Sequence, residues 1–179
     1  MLQLDIPGGT LFDESRQQFI EIKGTTIQLE HSLVSISKWE SKWHKPFLGT
    51  EEKTWEESID YIRCMTITQN VNPAVYLNID DKNVQKVYDY INDPMTATWF
   101  KDNNRKGNQG VVTAEIVYYW MIALEIPFEC QRWHFNKLLT LIRVCNEKNN
   151  PKKKMSANDV RARNRSINQA RKAKHHTHG

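Results

Sequence analysis

The last 28 residues of this chain are unsuited to building a core. Residues 152–179 carry nine bases (Lys152, Lys153, Lys154, Arg161, Arg163, Arg165, Arg171, Lys172, Lys174) against one acid, Asp159, a net of +8 before His175, His176 or His178 takes a proton. A block of like charge repels itself and stays in water, so folding falls to residues 1–151. These hold sixteen bases and twenty acids, a net of −4. An acidic body therefore carries a basic arm. The body has the means to fold, because six Trp, six Tyr and six Phe offset a modest 39% hydrophobic content. Each buried aromatic removes a large apolar area from water, which argues against disorder of the whole chain.

The first thirty residues read as strands. Leu2, Leu4 and Ile6 alternate with polar positions and stop at Pro7-Gly8-Gly9, a turn signal. Gln18–Ile22 and Thr25–Leu29 flank Lys23-Gly24, which predicts a hairpin around Gly24 in a sheet of three strands. From Ser32 the period becomes helical, with Leu33, Ile36, Trp39 and Trp43 in register and Pro46 as a stop. Thr54-Trp55-Glu56-Glu57 is a capping box opening a second helix through Ile59, Ile62 and Met65. Asp80 or Asp81 caps a third, with Val84, Val87, Tyr88 and Ile91 on one face. Residues 101–110 read as a polar loop. Thr113 and Glu115 open the most apolar helix, Ile116 to Leu124. Being apolar nearly all round, it is expected to be central and the most buried. A long helix with Trp133, Leu138, Leu141, Ile142 and Cys145 follows Pro127. Ser156-Ala157-Asn158-Asp159 starts a basic helix from Val160 to Lys174 that is marginal alone. The expected fold is α+β and predominantly helical: a small N-terminal sheet or hairpin (1–30), a helical body (31–151) and a basic C-terminal helix or tail (152–179).

Little in the sequence points to catalysis. Cys64, Cys130 and Cys145 are odd in number without framework spacing, and no leader precedes them, which suits a reducing cytoplasm. The longest apolar stretch, Val111 to Leu124, contains Glu115 and is too short to span a bilayer. Cys130 and His134 have the spacing of a metal or thiol–imidazole pair, but no second pair completes a site. A core cysteine beside a hydrogen-bonded histidine is the simpler reading. Glu51, Glu52, Glu56, Glu57 and Asp60 complement a helix dipole. No catalytic residue, cofactor or metal site is expected.

Two features suit a partner. The arm fits phosphates, an acidic protein surface or a solubilising role; it has no aromatic ring except histidine to stack on bases, which favours protein docking over nucleic acid. Trp39 and Trp43 with Trp55 are either docking aromatics or core.

Several runs carry a resemblance: Leu29–Leu33 leading into Ser37–Trp43, Tyr61–Thr66, Tyr90–Thr98, Tyr119–Ala123 before Ile126-Pro127-Phe128, and Leu138–Asn146. Together they resemble the tail assembly chaperones of long-tailed bacterial viruses, over about residues 29–179. The resemblance implies a non-enzymatic protein of the host cytoplasm, absent from the mature virion. Such a protein binds the tape measure protein, keeps it soluble, associates with itself along it and helps recruit tail tube protein. The competing expectations are a virion structural or head–tail joining protein, and a DNA-binding protein acting through the arm.

Overall fold

The computed structural model describes residues 1–13, 17–100, 111–149 and 157–175. Four strands, β1 (Leu2–Ile6), β2 (Gly9–Asp13), β3 (Gln18–Ile22) and β4 (Thr25–Leu29), open the chain. They do not form the expected hairpin around Gly24 or a three-stranded sheet. Instead β1 pairs with β4 and β2 with β3, both antiparallel. Two residues intervene on each strand between the pairs Ile6–Thr25 and Gly9–Ile22, so one register runs the length of a two-stranded ribbon. A tight turn at Lys23-Gly24 needs positive φ, and neither residue has it. The chain therefore runs straight through. Pro7 has no N–H to give, so the ladder lapses there. Gly8 and Gly24 face each other so closely that a Cβ on Gly8 would lie 2.9 Å from both Gly24 N and Ile22 O.

The lapse also switches the face that meets the body. Leu4, Ile6, Ile27 and Leu29 are buried before it, whereas Ile22, with Leu11 and Ile20 partly covered, points inward after it. Each buried aliphatic side chain stabilises by about 1.5–3 kcal/mol, which anchors the ribbon through β1 and β4. Just past β4 the backbone is stitched to the helices: Glu30 N–H donates to Met65 O (2.9 Å) and Phe135 N–H to His31 O (2.7 Å).

The helices follow the predicted order. α1 (Leu33–Trp43) starts at Ser32, whose hydroxyl and that of Ser35 cap each other's backbone N–H, and ends with His44 in a left-handed turn. α2 (Trp55–Met65) has the expected Thr54–Glu57 capping box. A 3₁₀ segment, Pro73–Asn78, leads to α3 (Asp81–Asn92), which Asp80 caps through Asn83 N–H. On α3 the inward residues are Asn83, Val87 and Tyr90. Tyr88, expected on the buried face, is exposed, because the face that packs inward centres on Asn83, Val87 and Tyr90 and Tyr88 lies past its edge, beyond half-buried Val84. After α4 (Ala114–Ala123), a second 3₁₀ segment (Phe128–Arg132) and α5 (Phe135–Asn149) complete the body. α1 packs on α2 and α4, and β1 on α3.

α4 is not the buried centre its composition predicts. Ala114, Val117 and Met121 are buried against α1, but Ile116, Tyr119 and Ile122 are exposed. A helix apolar all round is covered on every side only when enough neighbours exist, and α1 supplies one side. Thr113 makes no side-chain cap; a carboxylate oxygen of buried Glu40 on α1 accepts the Ala114 N–H instead.

The chain divides into two units, Met1–Asn146 and Glu147–Gly179, so the ribbon belongs with the helices that follow it. In the second unit α6 (Ala157–His175) confirms a helix where a basic one is predicted. Among the described residues no helix is long and apolar enough to cross a membrane.

Candidate partner-binding surface

The predicted tryptophans part company. Trp39 lies in the core, 2% exposed, with its indole N–H donating to Glu57 O at 2.9 Å. It stacks on Trp43 with ring centroids 6.2 Å apart. Trp43 is half-buried, and its indole N–H donates to Asp60 Oδ2 at 2.9 Å. Both therefore hold α1 against α2. Trp55, at the exposed start of α2, lines a cleft of about 320 Å³ with Lys42, Ile59, Arg63, Tyr76 and Leu77.

The acids of α2 do more than complement its dipole. Asp60 is buried and accepts Lys42 Nζ at 2.6 Å. Glu57 is buried and accepts Lys45 Nζ at 2.7 Å as well as the Thr54 N–H. The Lys45 hydrogen bond, first, and the Thr54 backbone hydrogen bond hold the Glu57 carboxyl below its ordinary range, and Lys45 is raised in return. Lys53 sits 4.3 Å over the Phe47 ring, and burial lowers its pKa.

The titratable cluster nearest to a catalytic arrangement is largely buried, with His134 and Tyr90 lining a surface pocket of about 560 Å³. His31 Nδ1 lies 2.5 Å from the Tyr61 hydroxyl, which also meets Ser35 Oγ at 3.4 Å. The His31 ring packs edge-on to His134, centroids 5.1 Å apart. His134 Nδ1 accepts the Asn136 N–H, so its proton is on Nε2, donated to Tyr90 O at 3.0 Å. Burial first, and the neighbouring His134 second, push the His31 pKa down to about 3. Burial lifts the Tyr61 hydroxyl far above its usual range. Both histidines and Cys130 are at most 6% exposed. Cys130 and His134 are core residues, and no group of three or more metal-binding side chains occurs among the described residues.

Apolar surface is also open on α4. A groove of about 740 Å³ is lined by Leu48, Val111, Val112, Ile116, Trp120 and Leu139. The groove is not legible in the sequence, because a helix apolar nearly all round predicts an interior position. The available signal was the near absence of polar residues on α4 in a chain without enough other elements to cover it. Arg161, Arg163, Arg165, Arg171, Lys172 and Lys174 all lie on α6 with exposed side chains. Lys152, Lys153 and Lys154 lie outside the described residues. The described arm cations and the tryptophans thus belong to separate units, with Trp55 the most exposed of the three tryptophans proposed for docking. No protein-family model, curated protein or solved structure matches the chain.

Proposed function

We propose that this chain is a tail assembly chaperone that binds the extended helices of a tape measure protein, keeps them soluble and helps recruit tail tube subunits. The observation that carries the reading is the α4 groove. Its lining of Val112, Ile116, Trp120 and Leu139, with Leu48 and Val111 at its exposed edge, offers aliphatic and indole surface to one side of an amphipathic helix. Exposed apolar surface of this kind marks an interaction site. The sequence resemblance over residues 29–179 supports the same reading.

Co-expression with a candidate tape measure protein from the same genome tests the function. The expected result is a soluble complex that co-purifies, weakened by Ile116→Asp. A tape measure protein that stays insoluble and unbound overturns the reading. Mass spectrometry of purified particles separates it from a virion structural role, because a chaperone is absent from the particle.

A further inference from the structure

A second exposed edge of α4 lies beside the groove and has a different character. Glu115, Tyr119 and Ile122 are spaced i, i+4, i+7, one stripe of a helix. Tyr119 and Ile122 are 66% and 62% exposed. Phe128, 52% exposed, borders the stripe through Tyr118, ring centroids 6.4 Å apart. Three exposed acids lie along the same stretch of chain: Glu115 at the start of α4, Glu125 just past its end and Glu129 next to Phe128 in sequence. None of them forms an ion pair with a described residue. Glu125 also holds φ at 54°, a left-handed conformation that glycine closes a helix with far more easily.

α6 carries the matching pattern. Val160 and Ile167, seven residues apart, share a stripe with Arg171 and Lys174. Both apolar residues are exposed, and so are the two cations. From Val160 to Lys174 the stripe runs roughly 21 Å, against roughly 15 Å for α4. A helix with so little to bury is marginal alone and gains order by docking.

We propose that α6 of one copy docks on the Tyr119–Ile122–Phe128 edge of α4 in a second copy. Val160 and Ile167 cover the apolar residues while Arg171 and Lys174 meet the glutamates. Charge complementarity decides the occupant: the acids bound one unit of the chain and the cations the other. Each copy offers one donor helix and one acceptor edge, so the contact is heterologous and association continues from copy to copy. It leaves the Ile116–Trp120 groove to another ligand.

Sedimentation equilibrium of the full chain tests this. The average mass is expected to rise with concentration and to fall as salt increases from about 0.05 to about 0.5 M, where exposed ion pairs are screened. An acceptor variant (Glu115→Gln, Ile122→Ser, Glu125→Gln) and a donor variant (Ile167→Ser, Arg171→Gln, Lys174→Gln) each weaken association by at least about tenfold. All these side chains are exposed, and unchanged circular dichroism of the body verifies the fold. Mixed in equal amounts, the two variants form a heterodimer and nothing larger, since one productive contact is left. A wild-type chain that stays single at every concentration, including one whose α6 folds back on itself, overturns the proposal. So does association indifferent to either variant, or a mixture that forms no heterodimer.

Discussion

The Glu40 carboxylate caps α4 from another helix: its Oε2 accepts the Ala114 N–H at 2.8 Å, across 74 positions of sequence. Its Oε1 accepts the Phe47 N–H, also at 2.8 Å. One buried side chain thereby fixes the turn after α1 and the start of α4, and its negative charge sits where the helix dipole favours it.

Glu40→Ala leaves two buried N–H groups without acceptors and is expected to cost about 2–4 kcal/mol. Hydrogen exchange should accelerate at Phe47 and Ala114 before it does in α2. Unchanged protection at Ala114 would show that the cap is dispensable.

His31 links stability to pH. Its pKa in the folded protein is about 3 against an ordinary 6.5. Between those values the unfolded chain binds a proton that the folded one refuses, so stability is full above pH 6.5 and declines as pH falls toward 3. Each pH unit within the window costs up to about 1.4 kcal/mol. Urea midpoints at pH 7 and pH 5 check this, ahead of carboxylate titration; His31→Gln should flatten the difference.

The tryptophans separate folding from binding. Trp39→Ala empties a core position and is expected to cost about 3–5 kcal/mol. Trp55→Ala, at an exposed position, should stay within about 0.5 kcal/mol. Equal losses in thermal denaturation would contradict the burial difference.

Gly8→Ala drives a methyl group into the backbone of the opposite strand, where nothing flexible yields. It is expected to destabilise by about 1–3 kcal/mol, with loss of amide protection concentrated in the strands on either side of Gly8.

Glu125→Gly relieves a left-handed non-glycine residue and should stabilise the monomer by about 0.5–1 kcal/mol, while weakening self-association. A destabilised Glu125→Gly monomer would mean that the carboxylate is held by the fold itself.

How far the sequence alone foretells these features depends on how local their causes are. The Thr54–Glu57 box, the Asp80 cap and the breaks at Pro46 and Asn72-Pro73 are set by neighbours within four residues and read directly. α6 is legible for the same reason. The ribbon is not, because the switch of inward face at Pro7-Gly8 hides the alternation of β2, and Lys23-Gly24 resembles a hairpin turn while remaining extended. Capping of α4 by Glu40 and its one-sided cover are long-range facts. Among the site residues, the exposure of Trp55 and the burial of Trp39 turn on which helix faces meet, which spacing within α1 cannot decide.

The unbroken register of the ribbon has a consequence for how such a chain changes length. Removing one residue from a single strand slips every pair beyond it and turns its side chains over. Removing one from each strand, outside the Gly8–Gly24 contact, keeps every pair on the body side matched, including Leu4 with Ile27 and Leu2 with Leu29. The tip beyond Leu11 and Ile20, with Phe12 and Phe19 exposed and their rings 5.1 Å apart, can thus be shortened or extended like a telescoping arm, two residues per strand at a time so that each side chain keeps its face, while the folded base with buried Ile22 stays as it is.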